Sequence, residues 1–219
     1  MRTAVSTSAA LILGALLAAC GPAPARPAPE TMPVRAYPES GVPVHPDSAL
    51  RAELLAMGEE DQAVRAGLTP ETFQDTAFMM RMVRTDSALS TRLREIIAAG
   101  GWPDAARVGR DAVHAAFLIV QHSPFDDLRD AVLPYVERDA RAGVLDAQDY
   151  AAMVDRMRTL RGEPQLYGTS YSLVEGALVR DPVEDPANLD RRRAELGLMP
   201  IAEYERRLAE FYRAEVRSE

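Results

Sequence analysis

The chain has 219 residues, 47% of them hydrophobic and 26% charged, with a formal net charge of −8. That acidic balance argues against a nucleic-acid partner, and the composition belongs to a globular chain rather than a disordered one. All 25 basic residues are arginine, and the lone cysteine, Cys20, leaves no second thiol for a disulfide or a Cys-type zinc site.

The chain opens with Arg2, its first charge, followed by an apolar run from Ala9 to Ala19. A run of that length is short of the about 20 apolar residues that span a bilayer and reads as an export signal. It ends in Leu17-Ala18-Ala19-Cys20, which resembles the lipobox of bacterial lipoproteins. The resemblance implies that residues 1–19 are removed, that the Cys20 thiol is lipidated, and that acyl chains such as palmitate hold the protein on a membrane. Gly21, where an aspartate would imply retention at the inner membrane, favours the outer membrane with the domain in the periplasm. The alternative is an ordinary cleaved signal with Cys20 nearby. Removing Arg2 leaves 24 basic against 33 acidic residues, or about −9.

From Gly21 to Pro46 there are eight prolines and no apolar period. Such a stretch favours extended polyproline geometry and acts as a spacer. Residues 20–46 are therefore expected to form a tether, and residues 47–219 a single helical domain.

Asp47 is the expected N-cap of a first helix to about Ala66, with Leu50, Leu54, Met57 and Val64 inward. Thr69-Pro70-Glu71 predicts the start of a second, carrying Phe73, Ala77, Met80 and Val83. Asp86 or Ser87 is expected to cap a third, which stops at Gly100-Gly101, with Trp102-Pro103 turning the chain. Residues 109–122 are apolar nearly all round, which places that helix at the centre of the fold. A fifth helix is expected from Asp126 to Arg141 with Pro134 inside it, and a sixth from an Asp146 cap to about Leu160. Residues 164–186 lose the helical period and read as a long irregular loop or short hairpin. Helices resume at Asn188–Glu195 and Ile201–Val216. The expected fold is thus mainly α: a compact multi-helix bundle around a central apolar helix.

Asp61-Gln62-Ala63-Val64-Arg65, Gly101-Trp102-Pro103, Val108-Gly109, Gln121-His122, Asp155-Arg156, Gln165-Leu166-Tyr167-Gly168-Thr169, Asp190-Arg191-Arg192-Arg193 and Gly197-Leu198 together resemble domain-of-unknown-function family 6624. The resemblance spans about residues 50–205, with Ser170 standing where glutamine is expected. It implies a family and no mechanism.

His122 is the candidate catalytic residue, a general acid/base beside Gln121 at the end of the central helix. The alternative is a structural histidine that closes that helix. Gln165, Tyr167 and Thr169 could wall a binding site or fix their loop to the bundle, and Asp190 with Arg191, Arg192 and Arg193 begins a helix that could present a guanidinium to an anionic ligand or form a solvated charged face. HExxH, GxSxG, P-loop and dinucleotide motifs are absent, and neither a metal nor a cofactor is expected. Two functions remain open: an envelope lipoprotein that binds a protein, peptide or cell-wall component, and a hydrolase or transferase using His122.

Overall fold

A computed structural model describes residues 45–69 and 72–217. The expected leader, the expected lipidation site Cys20 and all but the last two residues of the expected tether lie outside the described residues. The chain divides into two compact units, one ending at Leu145 and the other beginning at Asp146. Among the described residues, no helix is long and apolar enough to cross a membrane.

The N-terminal unit is all helical. Helix α1 (Ser48–Arg65) starts where expected, its Leu50 N–H donating to the Asp47 carboxylate at 3.1 Å. Leu54, Met57, Gly58 and Asp61 are its buried positions. After a short 3-10 turn at Thr72–Gln74, helix α2 runs unbroken over 25 residues, Thr76–Gly100. Two sequence expectations fail here. The cap of α2 is Asp75, which accepts from the Ala77 and Phe78 N–H groups, and the inward residue is Phe78, whereas Met80 and Val83 are about half exposed. Asp86 and Ser87 cap nothing. Asp86 receives Arg65 of α1, and the Ser87 hydroxyl donates to the Val83 carbonyl within the helix.

Gly101 ends α2 with φ +78°, and Trp102 is buried, donating its indole N–H to Asp139 at 2.9 Å. After the short α3 (Ala105–Val108), α4 (Arg110–His122) forms the centre, with Val113, Ala116, Phe117, Ile119 and Val120 all but inaccessible. It packs on α1, α2, α3 and on α5 (Asp126–Arg141). The α1–α4 crossing is close: a Cβ at Gly58 would lie 2.7 Å from that of Ala115.

The C-terminal unit begins with α6 (Ala147–Leu160), capped by Asp146 as expected. The irregular segment resolves into a hairpin, β1 (Tyr171–Val174) antiparallel to β2 (Ala177–Arg180). Its turn is Glu175-Gly176, with φ +50° and +83°, the geometry a tight hairpin requires. Helix α7 (Leu189–Glu195) follows, then α8 (Ile201–Tyr212), which stops at Arg213 rather than running to Val216. Val216 instead opens β3 (Val216–Arg217), parallel to β2. Arg213, at φ +50°, makes the turn that redirects the chain.

Candidate functional site

His122 lies at the last position of α4, with its side chain 1% exposed. Its Nδ1 meets both carboxylate oxygens of Asp61, at 2.9 and 3.0 Å. Asp61 in turn accepts from Arg65 Nη1 at 2.9 Å and from Gln62 Nε2 at 2.8 Å. The other arm of Arg65 donates to Asp86 at 2.7 Å. One buried polar cluster therefore ties α1, α2 and α4 together at the heart of the N-terminal unit. Two carboxylates, one guanidinium and an imidazole share it.

The two acids respond differently to the same surroundings. Burial acts to raise the Asp61 carboxyl, but the bond and charge of His122, with Arg65 and Gln62, hold it below the usual carboxylate range. Burial pushes the Asp86 carboxyl up, and its single Arg65 contact only partly offsets this. Gln121, beside His122, buries its Oε1 without a hydrogen-bond partner among the described residues.

The other candidates belong to the C-terminal unit, where they surround a second buried acid. Asp155 of α6, fully buried, accepts from the N–H groups of Leu166 (2.7 Å), Tyr167 (2.9 Å) and Thr169 (2.8 Å) and from the Thr169 hydroxyl (2.7 Å). Burial pushes this carboxyl up, against those donors. Gln165 spends its whole amide on backbone, donating to the Ser170 and Asp181 carbonyls and accepting from Ser170 N–H. The Tyr167 ring lies against Tyr150, with centroids 6.1 Å apart. Gly168, between Tyr167 and Thr169 at φ +73°, is crowded: a Cβ would stand 2.9 Å from Ile201 Cδ1, which would have to shift. Arg192 donates to the carbonyls of Leu166, Glu184 and Asp185. Asp190 accepts from Ile201 N–H and so caps α8. The structure thus gathers Gln165, Tyr167, Thr169 and Arg192 around one loop, and most of their polar groups hold that loop.

Sequence reading assigns no site role to Asp61, Arg65, Asp86 or Asp155, naming Asp86 only as a helix cap and the other three only within the family motifs. A signal was present for the first two. Asp61 and Arg65 continue the inward register of Leu54, Met57 and Gly58 at helical spacing, so they had to be buried and paired. Arg193, last of a charge run that reads as a solvated face, is fully buried.

The C-terminal unit also carries an open cleft of about 440 Å³. Asp146 and Gln148 at the start of α6, Leu198 and Met199 before α8, and Tyr204, Arg207, Leu208 and Phe211 of α8 line it. Phe211 is 55% exposed there.

No group of three or more His, Cys, Asp or Glu side chains among the described residues could hold a metal ion. No curated protein and no solved structure matches the chain. A family described as a family of unknown function (DUF6624) matches residues 46–217. With that match extending over both units, the chain belongs to the DUF6624 family.

Proposed function

We propose that this protein is an envelope lipoprotein, anchored through Cys20 and favouring the outer membrane, whose C-terminal unit binds an apolar peptide segment without turnover. The observation that carries the binding reading is the α8 cleft. It is within the size range of ligand sites, and its floor is Leu198, Met199, Tyr204, Leu208 and Phe211. The polar loop residues Gln165, Thr169 and Arg192 spend most of their groups on the fold itself. The lipobox-like Leu17-Ala18-Ala19-Cys20 and the proline-rich segment after it support the anchor and the spacer.

Fluorescence anisotropy with a labelled Gly-Gly-Ala-Leu-Phe amide tests the cleft. Saturable binding to the full chain, weakened at least tenfold in Phe211→Asp, is expected, and a peptide that fails to bind removes the reading. Palmitate labelling lost in Cys20→Ser tests the anchor.

A second reading, a hydrolase or transferase with His122 as general acid/base, draws support from Asp61. A carboxylate on Nδ1 fixes the ring's orientation and directs proton exchange to Nε2. In that reading Gln121, which adjoins His122 in the same unit, would orient substrate. The near-complete burial of the His122 side chain weighs against it. Turnover of any ester, amide or phosphoryl substrate, abolished in His122→Gln, would displace the binding reading.

A further inference from the structure

Behind the wall of the α8 cleft lies a buried cation with no counter-ion in contact. Arg193 has 0% exposure, yet no carboxylate among the described residues pairs with it. Its Nε donates to the Met199 carbonyl at 2.7 Å and its Nη1 to the Tyr167 carbonyl at 2.5 Å. Its guanidinium carbon stands 5.0 Å from the centre of the Tyr204 ring. Nη2 has no hydrogen-bond partner among the described residues.

The surrounding acids are already engaged. Asp155 is enclosed by the four donors of the 166–169 loop, and Asp190 accepts from Ile201 N–H. They reach Arg193 only through space, and burial pushes its pKa down. A guanidinium left in low dielectric with an unspent donor is costly unless something anionic completes it.

Two of the groups that hold it, Met199 and Tyr204, are also cleft-lining residues. A second arginine, Arg207, stands at the cleft and is tied to Glu203 at 2.9 Å. From this placement we infer that the cleft takes the free C-terminus of a peptide with apolar last residues, its carboxylate entering beside Tyr204 and Met199 to meet Arg193 Nη2. The Tyr204 side chain, only half-buried, is the group that must yield. A carboxylate there gains a charge-assisted bond inside an apolar surround, which a neutral end cannot.

This inference rests on the cleft-binding reading, and the two fail separately. The full chain is titrated with labelled Gly-Gly-Ala-Leu-Phe as the free acid and as the amide. We expect the free acid to bind about tenfold tighter, the gain from one hydrogen bond to a charged group. Arg193→Gln should erase that preference while the amide still binds. Should Arg193→Gln fail to fold, ¹⁵N-arginine spectra of the unsubstituted chain decide instead: the Arg193 Nε–H must shift with the free acid and stay in place with the amide. Equal binding of acid and amide overturns the inference and leaves the cleft as a neutral apolar site. Binding of neither removes the cleft reading itself. Displacement of the free-acid peptide by equimolar decanoate reassigns the cleft to an acyl carboxylate and overturns the choice of a peptide.

Discussion

His122 and Asp61, distant in sequence, meet with the imidazole Nδ1 2.9 and 3.0 Å from the two carboxylate oxygens, both side chains 1% exposed. Breaking one side of a buried pair strands the other. Asp61→Asn should therefore lower unfolding free energy by about 3 kcal/mol, a loss that equilibrium urea unfolding will register. His122→Gln should cost a similar amount, and the double variant less than the sum.

The same cluster sets an acid-side stability profile. The Asp61 carboxyl is held below its unfolded value, so its stabilisation is full above about pH 4 and is lost as pH falls toward its folded pKa. Asp86, pushed upward, acts in the opposite sense: its stabilisation is present below about pH 4 and is lost as pH rises through its folded pKa. Thermal unfolding from pH 3 to 7 should show Asp61→Asn flattening the acid limb. Asp86→Asn should steepen the net rise of Tm with pH.

At the α1–α4 crossing, Gly58→Val should destabilise by about 1–3 kcal/mol, because the new Cβ meets Ala115 at 2.7 Å. Ala115→Gly, combined with it, should restore part of that loss. Denaturant midpoints of the three variants give the comparison.

Asp155→Ala removes the acceptor that gathers the Leu166, Tyr167 and Thr169 amides. Those three amides should exchange with solvent at least tenfold faster in hydrogen-exchange mass spectrometry. Peptides from α2 in the other unit should keep their protection.

Most of the helical architecture is legible in the sequence because its signals are local. Asp47 and Asp146 cap where cap residues stand, and α4 is apolar where a central helix must be. Two of the failures share one physical cause. Asp86 carries a strong local signal for a helix start, but its carboxylate is consumed by Arg65 from another helix. Pairing over that separation cannot be read from a window of a few residues. β3 was hidden in the same way, since two residues become a strand only when β2 supplies the partner. Within the candidate site, His122 was visible by its position at a helix end, whereas Asp61 was visible only in the register of α1. Arg193 was masked by Arg191 and Arg192, which look identical in sequence and point elsewhere.

Gly168 and Gly176 adopt nearly the same backbone turn, at φ +73° and +83°, in opposite surroundings. A Cβ on Gly168 would stand 2.9 Å from Ile201 Cδ1 and 3.3 Å from Leu189 Cδ2 and force those side chains to shift, whereas a Cβ on Gly176 would meet nothing within 4 Å. The hairpin tip is therefore a natural port into the chain. A short epitope or fluorophore-bearing insert between Glu175 and Gly176 would project into solvent from exposed residues, reporting on the protein without touching the α8 cleft.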